Sequence, residues 1–215
     1  MTRSGPSVRP GSGRPTREQA AARQAELLDT ALDLFLEHGF ELVTLDQIAE
    51  RVAMTKRTIY AKHADKAALF RAAVQRAIER QIVPRQELDD LDRGDLRETL
   101  EAIGRLRIRQ VMTPNGLRLQ RIINAESYRF PDIFAANLEQ STIPVIDFVT
   151  RLLDRAVATG EIAPTNTALA ASSFMSMVVG GQVRPIVAGR MPSTRTLDKK
   201  VRFTVALLLD GLRPR

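Results

Sequence analysis

The chain has no cysteine, no tryptophan and only two histidines in 215 residues. Without cysteine there is no disulfide, no thiolate nucleophile and no zinc–cysteine site. His38 and His63 are far apart in the chain and neither reads as a metal ligand, so no metal and no cofactor is expected. No apolar run reaches the roughly 18 residues that a membrane-spanning helix needs. The first residues carry arginines but no apolar h-region, so no secretory signal is expected and the reading is a cytoplasmic protein. The sequence also lacks a Ser/His/Asp order, a glycine-rich phosphate loop and a credible pair of acids, so an enzyme is not expected.

Hydrophobic residues make up 44% of the chain, which is enough for a core, and aromatics only 5%. Leu, Ala and Arg dominate, and apolar residues recur at 3.6-residue spacing, so the fold class is all-α. Lys and Arg number 32 against 25 acids, a net charge of +7. That balance suits a polyanion, but charge alone does not choose nucleic acid over an acidic membrane. A membrane-surface protein would need an amphipathic basic helix with bulky apolar residues. The one clearly basic helix is too short for that, so no membrane partner is expected.

That helix lies in residues 44 to 63, TLDQIAERVAMTKRTIYAKH. Thr44 and Gln47 fit a capping box, in which each side chain satisfies the other residue's free N–H. Leu45, Ile48, Ala49 and Val52 then form one apolar stripe. Thr55 is a second N-cap, followed by Lys56, Arg57, Thr58, Ile59, Tyr60, Ala61 and Lys62. Only Ile59 of that second helix is core-like, and no acid occurs from Thr55 to His63. The bland alternative is a solvated basic helix on an ordinary helical domain. Two helices joined by a tight turn, the second one basic, instead read as a helix-turn-helix, with donors suited to phosphates and base edges.

The ordered spacing of Ala31, Leu34, Phe35, Gly39-Phe40, Thr44, Ile48-Ala49, Thr55, Thr58-Ile59-Tyr60 and Lys66 resembles the tetracycline-repressor (TetR) family of bacterial regulators. Three positions depart from that family's pattern. The turn at Ala53-Met54 lacks glycine, Lys62-His63 replaces the usual His/Tyr-Phe pair, and Ala67 stands where Glu is common. Further on, Ala125-Glu126 and Phe130-Pro131 resemble a segment between two body helices of the AefR-like subgroup. The resemblance implies an N-terminal three-helix DNA-binding head and a C-terminal helical body for ligand binding and dimerisation. It also implies a homodimer on a pseudo-palindromic double-stranded DNA operator, and a repressor released by a small apolar ligand.

The expected organisation is a disordered basic arm over residues 1–16, a helix-turn-helix domain over 17–64 and a body over 65–215. The arm is rich in Gly, Pro, Ser and Arg, too polar to bury a core. Gly13-Arg14-Pro15 is like the centre of an AT-hook, with a solvated tail as the alternative. A long helix is expected from Arg17 to His38, ended by Gly39 as a C′ residue. A fourth helix, capped by Asp65, is expected to reach Val83, and residues 85–95 to form a polar loop. Pro144 should kink or divide a long helix after Pro131, and the last helix should run over about 194–212.

The DNA-contacting set is expected to be Thr44, Thr55, Lys56, Arg57, Thr58, Tyr60, Lys62 and Lys66, with Arg14 from the arm. Lys66, Tyr60 and Thr44 are assigned to phosphates, and Lys56, Arg57 and Thr58 to base edges. Met112, Ile123, Asn124, Tyr128, Phe148, Phe174 and Met175 are candidates for an adaptable ligand pocket, plain core being the alternative for the apolar ones. Val201, Val205, Leu208 and Leu212 are candidates for the dimer seam, and again the alternative is the body's own core.

Overall fold

The structure, a computed structural model, describes residues 16–181, 190 and 192–214. The arm with Arg14 lies outside the described residues. Among those described there are eleven α-helices and no strand. Helix α1 (Arg17–Leu42) starts with a capping box between Thr16 and Gln19, and Gly39 at φ 77° interrupts it at the expected place. Short helices α2 (Leu45–Arg51) and α3 (Lys56–Tyr60) follow, then α4 (Lys66–Glu79), capped by the Asp65 carboxylate accepting from the Ala68 N–H at 2.7 Å.

The expected polar loop after Pro84 contains a further helix, α5 (Arg85–Asp89). Its Leu88 is buried, and that anchor folds a turn which composition alone reads as loop. Then come α6 (Leu96–Met112) and α7 (Pro114–Glu126). Helix α7 starts at Pro114, ahead of its first large apolar residue, Leu117. Thr113 caps it and Pro114 takes the first position, where a missing N–H costs nothing. Helix α8 (Pro131–Asn137) passes through a π-turn over Leu138–Thr142 into α9 (Ile143–Ala158). Pro144 in the first turn of α9 lies at that division. Helix α10 (Thr167–Met175) also ends in a π-turn, and α11 (Thr194–Gly211) closes the described chain.

Two apolar cores divide the molecule. One joins α1–α4 to α7 and α8 through Leu119, Ile122, Ile123, Phe130 and Ile133. The other joins α5, α6, α9, α10 and α11. A boundary at residue 65 therefore cuts through the first core, since α4, α7 and α8 pack with the head. Phe130, from the Phe-Pro segment, sits 4.9 Å from the Phe40 ring and 4.7 Å from the Phe70 ring, centroid to centroid. The Glu126 carboxylate accepts from the Phe40 N–H at 3.4 Å, and Arg129 pairs with Glu41. This short stretch of the body is built into the head.

Candidate nucleic-acid interface

A five-residue helix cannot hold itself together in water, because the nucleation cost exceeds what so few hydrogen bonds return. Helix α3 persists because Ile59 is fully buried in the head core and Thr55 caps it, its hydroxyl accepting from the Thr58 N–H at 3.2 Å. Helix α2 is fixed by the expected reciprocal cap: Gln47 Oε1 accepts from the Thr44 N–H at 2.8 Å, and Thr44 Oγ1 from the Gln47 N–H at 3.3 Å.

Thr55, Lys56, Arg57, Thr58, Tyr60 and Lys62 are all exposed. At about 100° per residue, Arg57 lies on the side of α3 opposite Ile59 and so points directly away from the core. Among the described residues, neither Arg57 nor Lys62 has a carboxylate within ion-pair distance. The others are partly engaged. Lys56 Nζ lies 2.6 Å from Asp46 Oδ2, and that contact raises its pKa above the usual lysine value. The Thr55 and Thr58 hydroxyls share a 2.9 Å hydrogen bond. A DNA base edge or phosphate must compete with Asp46 for Lys56, whereas Arg57 and Lys62 are available at once.

Lys66 does something other than hold a phosphate. Its ammonium donates to the carbonyls of Phe40, Glu41 and Val43 at 2.8, 3.0 and 2.9 Å, and stands 4.5 Å from the centre of the Phe40 ring. An ammonium has three N–H groups, and all three are used. The α1–α2 connection ends in carbonyls without helical partners, and a cation there closes them. The residue ties the α1 end to α4 and has no proton left for DNA.

The turn between α2 and α3 shows what the missing glycine costs. Ala53 adopts φ 49°, the left-handed region that an L-residue enters at about 1–2 kcal/mol. Arg23 of α1 holds the same turn, its Nη2 donating to the Ala53 carbonyl at 3.2 Å. The far end of α3 is held by His63, which is buried. Its Nε2 accepts from the Gln24 side-chain amide at 2.9 Å, so that nitrogen carries no proton. Burial first, and the neighbouring Lys62 second, keep the imidazole's pKa below its ordinary value. Arg23 and Gln24 therefore set the pose of α3 from outside it. Neither carries a sequence signal, because both lie off the apolar stripe of α1.

The residues expected to line a ligand pocket are not brought together. Tyr128 is 99% exposed. Asn124 is exposed and its amide donates to the Gln120 carbonyl at 2.7 Å. Ile123 belongs to the head core, whereas Phe148, Phe174 and Met175 are close-packed in the body core. Two lie at separate openings: Met112 lines a cleft of about 210 Å³ with Ile108, Leu197, Val201 and Arg109, and Phe148 borders another with Arg151, Leu152 and Arg155. The expected seam is also revised: Val201 and Val205 are fully buried within the body, and Leu208 and Leu212 pack partly against the same core. What α11 presents outward is Phe203 (66% exposed) and Leu207 (54%), and α10 presents Leu169 (65%). The 3.6-residue period locates an apolar stripe but does not say which stripe faces inward when a helix carries two.

Comparison with known proteins bears on most of the chain. The family profile described as "Bacterial regulatory proteins, tetR family" matches residues 27–73, and the one described as "AefR-like transcriptional repressor, C-terminal domain" matches residues 98–211. An uncharacterized HTH-type transcriptional regulator of Mycobacterium tuberculosis is 27% identical over 181 residues, covering 83% of this chain and 84% of that one. A TetR-family transcriptional regulator from Mesorhizobium loti superposes with a TM-score of 0.71 at 20% identity, covering 93% of this chain and 100% of that one. The flavonoid-responsive regulator FrrA superposes with a TM-score of 0.67 at 26% identity, covering 90% and 99%. No described helix is long and apolar enough to cross a membrane.

Proposed function

The chain belongs to the TetR family of transcriptional regulators, with a body of the AefR-like repressor type, and on that premise we propose how it reads DNA and is released from it. It is a DNA-binding transcriptional regulator. The observation that carries the reading is the outward face of α3, where Arg57 stands opposite the buried Ile59 with the exposed Tyr60 beside it, and the exposed Lys62 follows just past the helix end. Arg57 and Thr58 read base edges, with Lys56 joining once Asp46 is displaced. Thr44, Tyr60 and Lys62 hold phosphates. Arg14 reaches the neighbouring minor groove from the arm.

Two copies of the chain act together. Phe203 and Leu207 lie one turn apart on α11 and are exposed, as is Leu169 of α10, and a self-complementary seam of exposed apolar residues generates a two-fold dimer. A two-fold protein requires a pseudo-palindromic operator with half-sites about one helical turn or a multiple apart. The body acts as a repressor switch released by a small, largely apolar ligand. The FrrA neighbour, by its name responsive to flavonoids, supports a ligand of that class. Displacement of the body helices reaches the head through Phe130, Glu126 and Arg129, which are packed against Phe40 and Glu41. Selection of duplexes from a random pool tests the reading. The expected result is an enriched inverted repeat, and a pool that stays random would overturn it.

A further inference from the structure

Helix α6 carries two arginines in opposite circumstances. Arg105 is partly exposed and pairs with both Glu101, at 2.7 Å, and Asp198, at 2.6 Å. Arg107 is only 6% exposed and, among the described residues, has no carboxylate partner. Its Nη1 donates to Gln110 Oε1 at 2.7 Å and weakly to the Gln81 carbonyl at 3.5 Å. Its Nε is buried without any hydrogen-bond partner, and Nη2 makes no bond to a described residue. Burial alone lowers its pKa to about 10.

A buried guanidinium without an anion is costly, and a chain under selection for stability alone would do better with methionine at such a site. The unsatisfied side is informative. Nε and Nη2 form one edge of the guanidinium, with two parallel N–H groups spaced to match the two oxygens of a carboxylate. Ile103 and Val111, one turn before and after on the same helix face, are both buried. Gln110 is half-buried and already offers a neutral oxygen to the other edge.

We propose that the Nε/Nη2 edge of Arg107 receives the carboxylate of a small apolar acid bound within the body. This rests on the reading that the body takes a ligand and narrows its class from apolar to apolar and anionic. The acid neutralises the one buried cation of α6 and places its hydrocarbon against the Ile103 and Val111 side. A charged group without a partner is what makes the site discriminate, because an uncharged isostere leaves the guanidinium unpaired.

The test measures ligand binding without DNA. Octanoate, benzoate and cinnamate are titrated into the full-length protein by calorimetry and thermal shift, each beside its amide. At least one acid is expected to bind tenfold or more tightly than its amide and to raise Tm with increasing concentration. Arg107→Met should abolish that preference while melting no lower than the wild type without ligand. Arg107→Lys, which keeps the charge but not the paired N–H edge, should bind the acid at least several-fold more weakly and serves if the Met variant misfolds. Acids binding no better than amides, no shift with any acid, or an Arg107→Lys variant binding as the wild type does would each overturn the proposal. An acid that binds through Arg107 without changing operator affinity leaves this inference standing and removes the ligand-release reading instead.

Discussion

Replacing Lys66 by methionine separates two accounts of the same residue. Family resemblance puts its ammonium on a DNA phosphate; the structure puts it on three carbonyls. Methionine keeps the length of the stem but removes every donor and the cation over the Phe40 ring. Hydrogen bonds from charged groups contribute about 1.5–3 kcal/mol each. Lys66 is half-buried, so water reaches some of the released carbonyls and the three bonds do not add. A loss of about 2–3 kcal/mol follows for the head. For a chain of this size each kcal/mol moves Tm by about 2–4 °C, so a fall of roughly 4–12 °C is expected by calorimetry. The second readout is salt. Each phosphate contact contributes about −0.9 to the slope of log K against log salt. Because Lys66 touches no phosphate, the slope should be unchanged, measured by fluorescence anisotropy at a temperature where the variant is folded. A variant that melts like the wild type but loses about one unit of slope would refute the argument.

Other expected outcomes are more local. Ala53→Gly relieves a left-handed alanine at φ 49°, and after the extra chain entropy of glycine the net gain should be about 0.5–1 kcal/mol in urea unfolding; a loss of stability would mean that the turn is not strained. Burial lowers the pKa of His63 in the folded state, so the unfolded chain binds its proton first as pH falls. Stability should therefore decline as pH drops below about 6.5, and His63→Gln should remove that part of the decline; an unchanged pH profile in the variant would contradict it. Leu207→Glu should dissociate the dimer in sedimentation while the monomer stays folded, because Leu207 faces outward, whereas Val205→Glu should unfold the body, because Val205 is fully buried. Dimers that survive Leu207→Glu would place the seam elsewhere.

The head was readable because its signals are local. Capping pairs lie three residues apart, the Ile59 anchor stands alone in a polar helix, and Gly39 marks a positive φ. The body was less readable for a physical reason. Its helices are apolar on more than one face, so spacing does not separate Val205, which is buried, from Leu207, which is not. Tyr128 and Phe174 look alike as pocket candidates, yet one is bare and the other fully enclosed. Long-range pairings leave no trace in the order of residues either. Lys66 reaches carbonyls 23 to 26 positions away, and Gln24 reaches His63 across 39. Arg107 reads as one more arginine on a basic helix until its missing partner is seen.

In the proposed mode of binding, α3 reads base sequence through the side turned away from Ile59. Its direct test is the affinity of wild type and Arg57→Ala for the selected operator and for a scrambled duplex of equal length and salt. A base-edge contact gives a loss of about 1–3 kcal/mol on the operator, relaxed preference at one base position, and little change on the scrambled duplex. Equal losses on both duplexes, or no loss on either, would contradict the assignment of α3 as the reading helix.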